Sequence, residues 1–239
     1  MNQILDQNQS FSQELSRDFF KSVYSYMFGA LAVSGIIAYM AGTPEFMLKY
    51  FYAPSATGGM TPTLLYYVVA FAPVGLGLLI QMAYRRLSMG VLMLAFLGYA
   101  ALMGLSLSVI LVIYSASAVA VTFFITAGAF GAMAFIGYTT KTDLTKMGSL
   151  LYMAFIGIFI AGIANWFIGS ETIDYIISII GVFVFTGLTA YYMQKLKGAS
   201  QDVSLSGLER NKLALVGGLI LYIMFINLFL SLLRLLGND

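Results

Sequence analysis

The sequence predicts an all-α integral membrane protein built as a bundle of seven membrane-crossing helices, and three observations carry that reading. Of 239 residues, 60% are hydrophobic and 9% charged, where soluble domains hold roughly 25% charged residues. The apolar residues gather into seven runs, each near the 20 or so residues that a bilayer span needs. Ten of the 12 Lys and Arg residues then fall in alternate connections between those runs, as the positive-inside rule asks.

The chain divides into an amino-terminal segment, 1–21, and a single transmembrane domain, 22–239. The leading MNQILDQNQSFSQELSRDFFK is polar and lacks the apolar core of a signal peptide, so it reads as a cytosolic lead-in. Ser10 and Gln13 have capping-box spacing for a short surface helix, with Phe11, Leu15 and Phe19 on its membrane side; a frayed tail is the plain alternative.

The spans are read at 22–41, 64–83, 90–113, 117–138, 148–168, 173–193 and 213–236, all uncharged at their centres. Between the first two lies GTPEFMLKYFYAPSATGGMTPT, the longest loop. Pro44 is placed to open a short helix, and Phe46, Tyr50, Phe51 and Tyr52 suit a headgroup belt, so an interfacial helix is expected. Only YSAS, 114–117, joins the third and fourth spans. Gly128 with Ala132, and Gly157 with Ala161, are small-xxx-small pairs that let helices approach closely.

Arg17, Lys21, Arg85, Arg86, Lys141, Lys146, Lys195, Lys197, Arg210 and Lys212 share one side; Lys49 and Arg234 lie on the other. The amino terminus is therefore expected in the cytosol and the carboxyl terminus outside, across the plasma (inner) membrane. A six-span arrangement with a re-entrant last segment would instead put Arg234 and Asp239 inside.

The chain has no cysteine and no histidine. Disulfides, thiol nucleophiles, His- or Cys-ligated zinc and every histidine base are excluded. No carboxylate pair lies at membrane depth, no phosphate loop is present, and basic patches with interleaved aromatics are absent. The expectation is a protein that is not an enzyme, holds no cofactor or metal, and has the lipid bilayer but no nucleic acid among its partners.

Polar residues within spans are costly and often functional. Thr186, Thr189 and Tyr192 recur every three residues in the sixth span; Met224, Asn227 and Ser231 share a face of the seventh. They either line a polar path for an ion or tie helices together by hydrogen bonds worth about 1 kcal/mol each. Arg234 is placed to snorkel to the headgroups, and Trp166, beside Asn165, to anchor in the aromatic belt. Glu171 and Asp174 open the sixth span on the outside, where acids favour a helix start or gather cations at a mouth. Asp143, between Lys141 and Lys146, pairs with them or caps the next helix.

Four stretches in order, YAALMGLSLS (99–108), TFFITAGAFGAMAFIGYTTKTDLTKMG (122–148), GVFVFTGLTAYYMQKLK (181–197) and LYIMFINLFLSLLRLLG (221–237), resemble the Bax inhibitor-1 family of transmembrane Bax-inhibitor-motif proteins, its bacterial branch in particular. The resemblance implies a seven-helix bundle with the last helix central. It also implies a pH-sensitive calcium leak whose sensor is a pair of aspartates, one in the sixth helix and one in the seventh. This chain departs at both. Where the family's motif usually reads YDTQ it has YYMQ, putting Tyr192 at the first aspartate; where the family reads LYLDFINLF it has LYIMFINLF, putting Met224 at the second. Tyrosine titrates near pH 10 and methionine not at all, so the carboxylate gate is not carried over.

Two functions remain. One is an ion-transport role, a leak for Ca2+ or protons through Thr186, Thr189, Tyr192, Asn227 and Ser231 with an altered or absent gate. The other is a stress and quality-control regulator that binds a membrane-anchored protease or other membrane proteins, as some bacterial relatives do, with the amino-terminal segment as the contact.

Overall fold

The computed structural model describes the backbone of residues 2–55, 59–202 and 204–237, and side chains from Glu14 onward. Its helices are α1 (Asn2–Ala41), α2 (Pro44–Phe46), α3 (Leu64–Ala83), α4 (Met89–Ile113), α5 (Ala116–Thr139), α6 (Thr145–Ile168), α7 (Glu171–Ser200) and α8 (Gly207–Leu236). Seven are long and apolar enough to cross a membrane: α1 from Glu14, and α3 through α8. The seven-span, all-α reading therefore stands, with the expected cores inside the observed helices to within a residue or two; three helices run on well past them, α1 starting at Glu14 or before, α7 ending at Ser200 and α8 starting at Gly207.

The differences lie at the ends. The first span does not follow a separate surface helix: α1 runs unbroken from Asn2 through Ser10 and Gln13. The side chains proposed for the capping box, and Phe11, lie outside the described residues; Leu15 is half-buried and Phe19 buried. At the carboxyl end, α8 is one uninterrupted helix of 30 residues. At about 1.5 Å per residue that is about 45 Å, ample for a span.

The long loop is more built than an interfacial helix. Thr43 accepts the Phe46 amide at 3.2 Å and Pro44 occupies the first turn of α2, as its fixed φ favours. A π-helical turn, Met47–Phe51, follows. Strands β1 (Tyr52–Pro54) and β2 (Met60–Pro62) then pair antiparallel, Tyr52 opposite Pro62 and Pro54 opposite Met60. Phe51 is not a headgroup anchor: it is buried with Met47 and Val69, and Phe46, Tyr52, Tyr66, Leu105 and Val109 pack around them. A ring that reaches a protein core gains more than one left at the membrane surface.

By internal packing the chain forms two compact units. One comprises Asp18–Ser115 and Ser204–Leu219. Within it Gly104 faces the Ser34 backbone of α1, Gly218 of α8 faces Val23 and Tyr26, and Ser106 donates to the Val69 carbonyl at 2.7 Å. The other comprises Met1–Arg17, Ala116–Val203 and Ile220–Asp239. There Gly137 of α5 meets the Ala190 backbone of α7, Gly148 of α6 meets the Tyr191 ring, and Gly187 of α7 meets Leu151.

The close approaches are thus made by glycines other than those expected. A Cβ on Gly128 or Gly157 would meet nothing within 4 Å, and both residues are exposed. The small-xxx-small spacing is real, but those faces look outward. Burial ranks the spans sharply: 72% of the most apolar stretch of α8 is buried, against 44% for α7 and 6% for α6. The last helix is the most enclosed, which is what lets it carry polar side chains without exposing them to lipid.

Candidate functional site

The sixth and seventh spanning helices, α7 and the second half of α8, bring the candidate residues into one unit. The start of α7 is fixed twice. Gly169 closes α6 with a left-handed φ of 69°, and Ser170 caps α7 by accepting the Ile173 amide at 3.4 Å. Asn165 clamps this turn, accepting from the Ser170 amide at 3.1 Å and donating to its carbonyl at 3.0 Å. Glu171 and Asp174 sit exposed in the first turn of α7. Their position suits the helix dipole. Trp166 stays half exposed, as a belt residue should, and Arg234 is exposed in the last turn of α8.

Along α7, Thr186 is half-buried and Thr189 fully buried, its hydroxyl donating to the Phe185 carbonyl at 2.7 Å. Tyr192 is 6% exposed. Its ring centroid lies 5.9 Å from Tyr152 of α6 and 5.5 Å from Tyr191, both edge-on, and Lys195 Nζ stands 6.0 Å from it. Along α8, Met224 is buried. Asn227 Nδ2 donates to the Ile223 carbonyl and Ser231 Oγ to the Asn227 carbonyl, both at 2.8 Å. The neighbouring face of α8 is aromatic: Phe225 meets Phe123 at 5.4 Å and Phe130 at 5.5 Å, all three rings edge-on. Ser231 faces Gly181 of α7.

The polar stripe therefore satisfies itself. Thr189, Asn227 and Ser231 each bond the carbonyl four residues earlier in their own helix, which spends their donors without tying one helix to another. Tyr192 is shut between rings rather than joined to Met224 or Asn227 by any described bond. What the arrangement offers an ion is a few hydroxyl and amide oxygens and no carboxylate. Among the described residues no group of three or more Asp, Glu, His or Cys is placed to hold a metal.

Asp143 lies outside the spans and caps. Its Oδ1 accepts from the Thr145 amide at 2.9 Å and the Thr145 hydroxyl at 2.6 Å, at the start of α6. Those two bonds, the hydroxyl first, hold its carboxyl below the usual aspartate range. It forms no described ion pair with Lys141 or Lys146.

Four residues around the site are not legible as such in the sequence. Tyr152 and Tyr191 enclose Tyr192, and Tyr152 comes from 40 residues away. Gln194 pins the α5–α6 connection, accepting from the Leu144 amide at 2.9 Å and donating to the Thr142 carbonyl at 2.8 Å. One turn on, Lys197 donates to the Tyr138 carbonyl at 2.8 Å. Gln194 is the last residue of YYMQ, so the motif did point at it, though not at its role.

Comparison with known proteins agrees with this architecture. The family model for the inhibitor of apoptosis-promoting Bax1 matches residues 16–239. The inner membrane protein YbhL of Escherichia coli (strain K12) is 38% identical over 217 residues, covering 90% of this chain and 89% of that protein. An uncharacterized protein of Rickettsia prowazekii (strain Madrid E) is 37% identical over 231 residues, 97% of this chain and 93% of its own. An uncharacterized membrane protein of Streptococcus pyogenes (serotype M3) is 34% identical over 221 residues, 92% and 93% respectively.

Proposed function

This chain belongs to the Bax inhibitor-1 family, and from that premise we propose that it is an inner-membrane cation-leak protein whose path lacks the family's carboxylate pH gate. One observation carries the reading: the two positions where the resemblance puts sensor aspartates hold Tyr192 and Met224, both buried. A gate of two carboxylates works because like charges in low dielectric share a proton and titrate in the physiological range. Tyrosine and methionine supply nothing that titrates between pH 5 and 8. Thr186, Thr189, Asn227 and Ser231 line the path, and Tyr192, held between Tyr152 and Tyr191, closes it by packing rather than by charge. The cytosolic side is the one rich in Lys and Arg, with the amino terminus inside and the carboxyl terminus outside. No catalytic step belongs to this role.

The test is calcium flux in dye-loaded liposomes from pH 5 to 8. The wild type should leak slowly with little pH dependence. Tyr192→Asp with Met224→Asp should acquire a pH-dependent leak, because it restores the coupled pair. If neither protein conducts while both are folded, the leak reading fails.

A second reading has an observation of its own. Ser16 and Ser200 are both buried and hydrogen-bonded at 2.7 Å, so the amino-terminal helix docks on the end of α7. A membrane-anchored protease that engaged that helix would act directly on the helix carrying Tyr192. Deleting residues 2–12 should abolish such a contact and leave the leak intact; the reverse pattern counts against regulation by binding.

A further inference from the structure

The end of α3 and the start of α8, 127 residues apart at their point of contact, gather Arg85, Arg86 and Lys212 beside Glu209, whose charge acts on Arg85 and Lys212 without closing a salt bridge. Arg85 and Arg86 follow directly on α3 and are exposed. Lys212, in the second turn of α8, reaches across to the Arg85 carbonyl at 3.4 Å. Arg85 Nε donates to the Tyr84 hydroxyl at 3.1 Å, and the guanidinium lies 5.8 Å from that ring. This holds the side chain in place and engages only one edge of its fork.

Glu209, the nearby acid, spends its hydrogen bonds first at its own helix start, while its charge still acts on Arg85 and Lys212. Its carboxylate accepts from both the amide and the hydroxyl of Ser206, at 3.0 and 2.7 Å, while Ser206 Oγ accepts the Glu209 amide at 3.3 Å. That reciprocal box starts α8. No described salt bridge joins Arg85, Arg86 or Lys212 to a carboxylate.

The depth of this cluster is marked by its apolar neighbours. Met82, one turn before Arg86, is 83% exposed, and Leu208, beside Glu209, is 56% exposed. A methionine and a leucine so bare belong against acyl chains, and the cations one turn away then stand at the phosphate layer. A planar guanidinium with free terminal nitrogens forks a phosphate oxygen pair, and an ammonium beside it adds a point charge.

We propose that Arg85, Arg86 and Lys212 form a binding site for the headgroup of an anionic phospholipid in the leaflet on the Lys- and Arg-rich side. The acyl chains rest on the Met82 and Leu208 surface. Lys141 and Lys146 provide the internal control: they flank a loop on the same side, and the cation that a second element brings there, Lys197, is spent on the Tyr138 carbonyl and ring.

The experiment is thermal unfolding of the detergent-purified, monodisperse full chain with phosphatidylglycerol, with phosphatidylcholine, and with inorganic phosphate. Phosphatidylglycerol should raise Tm above the phosphatidylcholine value, and inorganic phosphate should not. Native mass spectrometry should find retained phosphatidylglycerol weakened about fivefold per cation removed, the effect of about one charge at a membrane surface. R85Q/R86Q/K212Q should lose most of the gain and K141Q/K146Q should keep it. K212Q alone serves if the triple variant is not monodisperse, with about a fivefold loss. R85K/R86K keeps the charge but not the fork and should fall between. Equal gains in the triple variant and the Lys141/Lys146 control overturn the site. An equal gain from inorganic phosphate overturns the lipid as its ligand.

Discussion

Ser231 of α8 lies so close to Gly181 of α7 that a Cβ on residue 181 would stand 2.5 Å from Ser231 Oγ and 3.4 Å from its Cβ. The first distance is a clash and the second an ordinary contact. Gly181→Ala should therefore destabilise the protein by about 1–3 kcal/mol, as overpacking does. Removing the hydroxyl removes the clash. On a Ser231→Ala background the same change should become neutral or stabilising, by up to the roughly 1 kcal/mol by which Ala exceeds Gly in a helix. A double-mutant cycle of thermal unfolding measures it; additive effects would mean the two residues do not touch.

Two glycines of α5 should respond in opposite ways. At Gly137 the obstacle is the Ala190 backbone, which has no rotamer to yield. Gly137→Ala should lower stability by about 1–3 kcal/mol. At Gly128 a Cβ meets open space. Gly128→Ala should be neutral or gain up to about 1 kcal/mol. Equal losses at both sites in a Tm comparison would contradict the packing of α5 on α7.

Asp143 sets a pH dependence with a definite sign. Its folded carboxyl titrates below the ordinary value because Thr145 donates twice to the ionised form. The stabilisation is therefore complete above the unfolded value, about 3.9, and is lost as pH falls through the folded one. Asp143→Ala should unfold at a lower temperature than wild type at pH 7, and the gap should close as pH is taken down toward 3. Parallel curves would show that the cap does not depend on the ionised carboxylate.

The absence of cysteine makes the amino-terminal docking directly testable. With Ser16 and Ser200 hydroxyls 2.7 Å apart, Ser16→Cys with Ser200→Cys should oxidise to an intramolecular disulfide. Peptide mapping should then join the first helix to α7 in one chain. Free thiols after oxidation would mean that the amino-terminal helix is not held there.

The spans were legible because lipid imposes one rule on every helix that crosses it: about 20 apolar residues without charge. The polar stripe of α8 was legible by spacing alone, since Met224, Asn227 and Ser231 share a face in any helix. Its bonding was not, because a hydroxyl that returns to its own helix and one that reaches across look the same in sequence. Gly128 and Gly137 illustrate a second limit. Both lie in the glycine-rich fifth segment, but only the fold decides which one meets Ala190. Phe51 illustrates a third: an aromatic in a polar loop reads as a belt residue until Val69 and Leu105, far along the chain, turn out to enclose it.

The meagre burial of α6 has a mechanical side. The helix has 24 residues, about 36 Å, for a hydrocarbon layer of about 30 Å, and only 6% of its most apolar stretch is buried. Its aromatic contacts run to α7: Tyr152 with Tyr191 and Tyr192, and Phe155 with Phe185 at 5.9 Å. Tilt is one way to take up that mismatch, and α7 is the neighbour against which α6 would turn. A bilayer of another thickness would be felt first at the Tyr152 ring, where the angle of α6 bears on Tyr192.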